Sequence, residues 1–249
     1  MSRFVNKLFS LSEKTAIVTG CSRGIGAEIA TAYKKAGANV VCLSRSAEPS
    51  NGDIRDCYRQ CDITDRKQFA SICSQTVEDY GRLDILVNAA GITLPIDDSV
   101  DKYESFSSTI EVNLIATYQC IEEAAACMID GGSIINVSSI GSFQGFPGNP
   151  GYVASKGGIH MLSKSLALDL GEQNIRVNNL VPGYIKTDMT IRSYNDPELH
   201  RERLERMIIK RWGRVEDLVG AAIFLASDAS SYVTGSDLVV DGGWTAKGL

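Results

Sequence analysis

A tyrosine and a lysine stand four residues apart in the sequence GYVASKGG, at Tyr152 and Lys156. Residues at this spacing lie one turn apart on the same face of an α-helix, and such pairs also occur as surface decoration. A free tyrosine has a pKa near ~10, which matches neutral-pH proton transfer poorly. Because an ammonium group favours the phenolate, Lys156 is expected to lower the pKa of Tyr152. The pair therefore suggests a proton-transfer device.

A glycine-rich turn, TGCSRGIG, occupies residues 19–26. It follows an apolar run that predicts a buried strand, and it precedes an amphipathic helix that ends near Gly37. Glycines in this place let the pyrophosphate of a dinucleotide approach the helix N-terminus. The spacing G-x-x-x-G-x-G differs from the commoner G-x-G-x-x-G, and glycines after a strand can also form a simple turn. The position after the first strand favours dinucleotide binding.

Short apolar runs alternate with longer amphipathic segments along the chain and predict the elements that hold these residues. Helices are predicted between the strands, among them long ones at about 101–129 and 152–171. This alternation predicts a single-domain α/β fold over residues 1–249, a Rossmann-like doubly wound parallel sheet of about seven strands. The predicted strands are 14–19, 39–44, 58–63, 83–91, 131–139, 175–183 and 235–243.

Composition excludes several classes of protein. The chain has 249 residues and a net charge of −5, which disfavours a nucleic-acid partner. Seven cysteines without a CxxC motif and only two histidines disfavour a disulfide framework and a metal site. Most cysteines are expected to be small buried side chains in a reducing cytoplasm. No apolar run approaches the ~18 residues of a membrane span, and the N-terminus lacks a signal sequence.

Several motifs follow the glycine turn in a fixed order. They are NAAG at 88–91, Asn113 within IEVNLIATY, Ser138-Ser139 at a strand end, Tyr152-x-x-x-Lys156, VPGYIKT at 181–187 and VVDGGW at 239–244. Together they cover almost the whole chain and resemble the short-chain dehydrogenase/reductase family. Ala89 departs from the family's NNAG motif, whose second asparagine would brace neighbouring strands. The resemblance implies hydride transfer between a nicotinamide cofactor and a carbonyl or alcohol substrate.

The resemblance also implies a catalytic set of Asn113, Ser139, Tyr152 and Lys156. Ser139 precedes Tyr152 by thirteen residues, the family's spacing for the serine that binds the substrate oxygen. Ser138 is the competing choice, since adjacent strand residues point to opposite faces. Lys156 would also hold the nicotinamide ribose. A helix break at Asn113 would free a main-chain carbonyl to bind a water molecule that connects Lys156 to solvent. The alternative is that Asn113 is a core residue whose side-chain amide is hydrogen-bonded within the protein.

The expected cofactor is NADP(H), with NAD(H) as the alternative. NAD-binding folds of this type end the second strand with an acidic residue that holds the ribose hydroxyls. Ser44 and Arg45 stand at that point here, and an arginine attracts the 2′-phosphate that a carboxylate would repel. Arg23 could add a second positive charge, and the alternative for Arg45 is a solvated surface residue. The expected cofactor contacts are Gly20, Ser22, Arg23, Gly24, Ile25, Gly26, Ser44, Arg45, Asp62, Ile63, Asn88, Ala89, Gly91, Tyr152, Lys156, Pro182, Gly183, Ile185 and Thr187.

The segment between Arg45 and Asp62 is unusually short, with only sixteen residues. The helix that links these strands in the family must therefore be shortened or lost. A missing helix could widen the adenine pocket.

Residues 188–212 occupy the place of the family's mobile substrate-covering segment. Four arginines in it, Arg192, Arg201, Arg203 and Arg206, raise the hypothesis of an anionic substrate such as a keto acid. Their alternation with glutamates favours a solvated helix face instead. Of the two histidines, we expect His160 in a helix interface and His200 in solvent.

The chain end resembles members that act on sugar acids and polyols, and also 3-oxoacyl carrier-protein reductases. A reductase of ketones, keto acids or sugars is the first hypothesis. The alternatives are a 3-oxoacyl carrier-protein reductase, an NAD-dependent alcohol or polyol dehydrogenase, and a non-catalytic dinucleotide-binding scaffold. The resemblance further implies a homotetramer or homodimer built through the helices near 101–129 and 152–171.

Overall fold

Among residues 3–94 and 101–247, which the computed structural model describes, seven parallel strands form one sheet in the order β3-β2-β1-β4-β5-β6-β7. The strand order reverses between β1 and β4, and such switch points open a crevice at the carboxyl ends of the strands. The strands are β1 (Thr15–Thr19), β2 (Asn39–Ser44), β3 (Tyr58–Gln60), β4 (Ile85–Asn88), β5 (Gly132–Val137), β6 (Ile175–Pro182) and β7 (Asp237–Val240).

The helices cover both faces of this sheet. They are α1 (Arg3–Phe9), α2 (Gly24–Lys35), α3 (Arg66–Tyr80), α4 (Lys102–Ile110), α5 (Ala116–Ala125), α6 (Pro150–Asp169), α7 (Ile191–Asn195), α8 (Pro197–Arg206) and α9 (Val219–Ala226). Helices α2 and α9 pack on one face, and α3, α5 and α6 pack on the other.

Strand β1 shows why the sheet needs both layers. Ala16 and Val18 belong to the core beneath α2 and α9, whereas Ile17 belongs to the core beneath α3, α5 and α6. All three side chains are completely buried. A parallel strand covered on both faces reads as a continuous apolar run, which is why the sequence predicts it well.

The predicted doubly wound sheet is confirmed, with differences at element boundaries. Strand β3 ends at Gln60 rather than 63, and β7 spans only Asp237–Val240 of the predicted 235–243. The predicted helix at 101–129 is divided by a π-helical turn, Glu111–Ile115, between α4 and α5. Helix α1 was not predicted, because its seven residues are too few for a clear helical period.

The short segment before β3 contains a 3₁₀ turn, Gly52–Cys57, where the family resemblance implies an α-helix. The prediction that this helix is shortened or lost is therefore confirmed. The turn is capped by Asn51, whose side chain accepts a hydrogen bond from the Asp53 N–H at 3.0 Å. The side chains of Pro49 and Ile54 are buried and hold this segment against the rest of the protein.

Five of the seven cysteines are buried as predicted, at positions 21, 42, 61, 73 and 120. None of the helices in the described ranges combines the length and apolar character required to cross a bilayer.

Candidate active site

The glycine turn between β1 and α2 depends on glycine for two physical reasons. Gly20 adopts a left-handed φ of +74°, and a Cβ there would lie 2.6 Å from the Ala90 nitrogen. A Cβ on Gly26 would lie 2.5 Å from the Gly20 carbonyl oxygen. The side chain of Arg23, which precedes α2, makes no capping hydrogen bond. The first N–H groups of α2 therefore remain available for an anion such as a pyrophosphate.

A cleft of about 420 Å³ opens beside this turn, at the carboxyl ends of the central strands. Its volume is in the range of ligand sites. Across the cleft, the Thr187 methyl group is 3.7 Å from where a Cβ on Gly24 would lie. The predicted cofactor residues that line it are Gly20, Ser22, Arg23, Gly24, Ile25, Gly26, Ser44, Arg45, Asp62, Ile63, Ala89, Gly91 and Thr187.

Other predicted contacts lie outside the lining of this cleft: Asn88, Tyr152, Lys156, Pro182, Gly183 and Ile185. Sequence reasoning missed nine lining residues: Ser46, Cys61, Ala90, Ile92, Thr93, Leu94, Val112, Asp188 and Met189. Most of them are chain neighbours of predicted residues. A wider window around each motif would have found them.

The two arginines of the cleft differ in their surroundings. Arg23 forms an ion pair with Asp188 at 3.1 Å, and both side chains are exposed. Arg45 is also exposed, directly after β2, and it forms no ion pair with any described residue. Arg45 is therefore the better candidate for a 2′-phosphate, because its charge is not already matched by a carboxylate.

The short segment before β3 folds back onto the glycine turn. The main-chain N–H and the hydroxyl of Ser50 both donate to the Ser22 carbonyl, at 2.9 and 2.8 Å. The Tyr58 hydroxyl donates to the Ser46 carbonyl at 2.9 Å. These bonds hold the wall that carries Arg45 against the cleft in place of the missing helix.

The NAAG motif is braced by a residue that sequence reasoning missed. The Thr19 hydroxyl accepts hydrogen bonds from the Ala89 and Ala90 N–H groups, at 3.2 and 3.1 Å. Thr19 thereby joins β1 to the loop after β4, where the family motif has an asparagine. The Asn88 side chain faces away from this loop and donates to Asn136 in β5 at 2.8 Å. Asn88 thus links strands, which is consistent with its place outside the cleft lining.

Ser139, Tyr152 and Lys156 converge at the end of β5. The Lys156 Nζ lies 5.7 Å from the centroid of the Tyr152 ring and donates to the Val137 carbonyl at 2.8 Å. Tyr152 forms a side-chain hydrogen bond with Ser139. Ser139 is held by the Gly141 N–H, which donates to its hydroxyl at 3.0 Å. The geometry therefore brings the predicted serine, tyrosine and lysine together.

Ser138, the competing serine, has different partners. Its hydroxyl pairs with the Ser142 hydroxyl at 2.6 Å, and Ser142 in turn donates to the Lys156 carbonyl at 2.9 Å. Neighbouring strand residues point to opposite faces, so only one of the two serines can face Tyr152. Ser138 instead ties the strand end to α6.

The prediction that Lys156 lowers the pKa of Tyr152 is wrong. Burial raises the pKa of Tyr152, the hydrogen bond with Ser139 opposes this rise, and the nearby Tyr184 adds to it. Burial also lowers the pKa of Lys156 itself to about 8. The physical reason is that desolvation disfavours the charged form of both groups.

Asn113 lies in the π-helical turn between α4 and α5 and is almost completely buried. Its side-chain oxygen accepts from the Ile92 N–H at 2.8 Å, and its amide nitrogen donates to the Ile92 carbonyl at 2.9 Å. The same nitrogen donates to Ser155 at 3.2 Å. The Asn113 carbonyl accepts from the Thr117 hydroxyl at 2.8 Å. Asn113 therefore connects the loop after β4 with α6, and π-turns of this kind are frequent at functional sites.

The segment at 188–212 forms α7 and α8 and contributes to an aromatic wall beside Tyr152. Phe146 stacks on Tyr152 with ring centroids 6.5 Å apart, and it contacts Tyr184 at the same distance. Tyr184 meets Trp212 at 5.4 Å and Trp244 at 4.7 Å. The wall therefore runs from Tyr152 to the segment at 188–212.

The structure differs from the prediction for His200 but not for His160. His200 is half-buried instead of solvated, because it stacks on Trp212 at 5.7 Å and its Nδ1 lies 2.9 Å from the Tyr194 carbonyl oxygen. His160 lies at an interface of helix α6, where it pairs with Asp237 of β7 at 3.0 Å.

The burial of Lys156 predicts a measurable pH dependence of stability. The pKa of this lysine is lowered from 10.5 to about 8 in the folded chain, so the unfolded chain binds more protons between these pH values. The free energy of unfolding should therefore rise with pH in this window, by about 3 kcal/mol for this group. Denaturant unfolding at pH 7 and pH 10 should show this gain in the wild type relative to Lys156→Met. An identical pH dependence of the two proteins would contradict the assignment.

Comparisons with known proteins find relatives that match almost the whole chain. A family model described as enoyl-(acyl carrier protein) reductase matches residues 20–245. The chain is 37% identical to a 2-dehydro-3-deoxy-D-gluconate 5-dehydrogenase of Pseudoalteromonas atlantica, over 96% of this chain and 98% of the relative. It is 39% identical to the 3-oxoacyl-[acyl-carrier-protein] reductase of Chlamydia trachomatis, over 94% and 98%. The chain also resembles a crystal structure of a gluconate 5-dehydrogenase from Burkholderia cenocepacia in complex with NADP and tartrate. The two structures superpose with a TM-score of 0.91 at 32% identity, and the match covers 98% of this chain and 99% of that one.

Proposed function

Because the chain belongs to the short-chain dehydrogenase/reductase family, we propose that it transfers a hydride between NADP(H) and a carbonyl or alcohol substrate. One observation carries this proposal. Ser139, Tyr152 and Lys156 converge at the end of β5, near a cleft with the features of a dinucleotide site.

The residues of the cleft fit both the pyrophosphate and the 2′-phosphate of NADP(H). The lack of side chains at Gly20 and Gly26 lets the turn pack tightly against its own backbone and the loop after β4, and the first N–H groups of α2 would hold the pyrophosphate. Arg45 would hold the 2′-phosphate and Lys156 the nicotinamide ribose. When bound, NADP(H) supplies or accepts the hydride.

The protein's own residues handle the oxygen of the substrate. Ser139 would donate a hydrogen bond to the carbonyl oxygen and polarise it, while Tyr152 would donate the proton. The raised pKa of Tyr152 keeps its hydroxyl protonated at neutral pH, which is the form that carbonyl reduction requires. Alcohol oxidation requires the phenolate, so it should become faster as the pH rises. Asn113 would position the loop after β4, and its carbonyl would support a proton path through water to Lys156.

The substrate is proposed to be a ketone, keto acid or sugar. Relatives named for sugar-acid oxidation and for 3-oxoacyl reduction have nearly the same identity to this chain, so identity alone does not separate these classes. The alternatives are therefore a 3-oxoacyl carrier-protein reductase and an NAD-dependent alcohol or polyol dehydrogenase. A non-catalytic scaffold is disfavoured, because it would not need the complete set of Asn113, Ser139, Tyr152 and Lys156.

We also propose a homotetramer or homodimer. Several large apolar side chains are exposed on the helices that the family resemblance implicates. They are Tyr103, Phe106, Ile115, Tyr118, Met161 and Leu168. A second copy that covers them would remove this apolar surface from water.

A substrate screen tests the proposed function. Oxidation of NADPH is followed by absorbance with simple ketones, keto acids, ketoses and 3-oxoacyl thioesters. We expect turnover with at least one class of substrate. If Arg45 binds the 2′-phosphate, the rate should fall by orders of magnitude when NADH replaces NADPH at equal concentration. Absence of turnover with every class would favour the scaffold. Faster turnover with NADH would favour the NAD-dependent alternative.

A further inference from the structure

Two buried N–H donors beside the proposed site lack partners. Within the part of the chain that the structure describes, Nη1 of Arg203 and Nε1 of Trp212 make no hydrogen bond. Trp212 is only 6% exposed, and Arg203 is half-buried. A buried donor without an acceptor is costly, and the cost is larger for a charged group. Such donors therefore point to a ligand that supplies the acceptor.

Both donors belong to the aromatic wall that begins at Tyr152. The Arg203 guanidinium carbon lies 4.6 Å from the centroid of the Tyr184 ring and 5.8 Å from that of Trp212. Tyr184 contacts Phe146, and Phe146 stacks on Tyr152. These contacts form a continuous row from Tyr152 through Phe146 and Tyr184 to Arg203.

Arg203 differs from the other arginines of the covering segment. Arg201 is exposed, and the exposed Arg206 forms an ion pair with Glu202 at 3.4 Å. Arg203 forms no ion pair with any residue in the described ranges. The alternation of arginine with glutamate thus fits a solvated face for Arg201 and Arg206, but not for Arg203.

The chemistry of the two donors selects a carboxylate. A guanidinium presents parallel N–H groups that match the two oxygens of a carboxylate, and an indole N–H adds a further donor. The surrounding rings lower the local dielectric and strengthen such a charged pair. A phosphate dianion would require more positive charge than the single guanidinium offers.

We propose that Arg203 and the Trp212 Nε1–H form a subsite that binds a carboxylate group of the substrate while its carbonyl is held at Ser139 and Tyr152. This assignment rests on the proposed oxidoreductase function. It makes the substrate a carbonyl acid, or the corresponding hydroxy acid, rather than a neutral ketone or ketose.

Matched pairs of probes test the subsite. L-Sorbose carries a hydroxymethyl group where 5-keto-D-gluconate carries its carboxylate, and the methyl esters of acetoacetate and levulinate are the neutral counterparts of those acids. NADPH oxidation is measured with each pair for the wild type, Arg203→Gln and Trp212→Phe. Arg201→Gln, an exposed arginine on the same helix, is the matched control.

We expect Arg203→Gln to lower kcat/KM for the acids by ~10- to 100-fold and to leave the neutral probes unchanged, since a hydrogen bond to a charged group is lost. Arg203→Lys should restore part of the loss because it keeps the charge. Trp212→Phe should affect the acids alone, and less strongly. An equal loss for acids and neutral probes would overturn the subsite and leave Arg203 as a packing residue.

Thermal melting of the NADPH-loaded protein separates this inference from the proposed function. Acids that bind without turnover should raise the melting temperature of the wild type more than their neutral counterparts, and this difference should vanish in Arg203→Gln. Binding without turnover would contradict the proposed activity but support the subsite. Turnover of neutral probes with no response to any acid would support the activity and overturn the subsite. No melting shift and no turnover with any acid would also overturn it.

Discussion

Replacing Tyr152 by phenylalanine is expected to lower kcat by roughly 10²- to 10⁴-fold, the usual contribution of a general acid. The substitution removes only the hydroxyl that forms a hydrogen bond with Ser139, so the ring should keep its stacking on Phe146. The affinity for NADPH should stay close to that of the wild type. Steady-state kinetics with the best substrate of the screen, together with a fluorescence titration of NADPH, measures both quantities.

The matched control is Tyr80→Phe, which removes a hydroxyl from a partly exposed tyrosine at the end of α3. We expect its kcat and NADPH affinity to equal those of the wild type. Retention of a substantial fraction of the wild-type rate in Tyr152→Phe would show that another group delivers the proton.

Replacing Arg45 by alanine is expected to weaken NADPH binding by ~10- to 100-fold, which corresponds to lost hydrogen bonds to a charged phosphate. NADH lacks the 2′-phosphate, so its affinity should be nearly unchanged. Because Arg45 is exposed and unpaired among the described residues, the substitution removes no ion pair within the protein. Dissociation constants for both cofactors, measured by fluorescence at one ionic strength, give the comparison.

Arg55→Ala is the matched control for this substitution. Arg55 is exposed in the same segment and pairs with Glu48 at 3.3 Å. Its replacement by alanine removes one positive charge, as the replacement of Arg45 does. We expect only a small and equal effect on NADPH and NADH. If Arg45→Ala weakened both cofactors to the same degree, the preference for NADPH would have to arise elsewhere in the cleft.

The sequence alone determined the sheet, the glycine turn and the placement of Tyr152 and Lys156 on one helix face. Buried parallel strands form continuous apolar runs, and the tyrosine–lysine spacing follows from one turn of helix, so both are local properties of the chain. The loss of the helix between β2 and β3 could also be predicted, because sixteen residues are too few to hold it together with both connections. These features depend on residues that are close in sequence.

Only the tertiary structure decided the surroundings of the individual charged and polar groups. The brace from Thr19 to Ala89 and Ala90 joins β1 to the loop after β4, and the pairing of Arg23 with Asp188 joins residues on opposite sides of the cleft. The raised pKa of Tyr152 depends on desolvation, which no spacing in the sequence reveals.

Arg203 shows the difference most clearly. In the sequence it is one of several arginines that alternate with glutamates, and the pattern favours a solvated helix face. In the folded chain its guanidinium lies over Tyr184 with a buried, unpartnered N–H. Helical periodicity determines which side of α8 a residue occupies, but the aromatic residues that cover that side, Tyr184 and Trp212, lie outside the helix. The sequence therefore determined the fold and the spacing of Tyr152 and Lys156, whereas the packing of α8 against Tyr184 and Trp212 decided which arginine lies beside the proposed site.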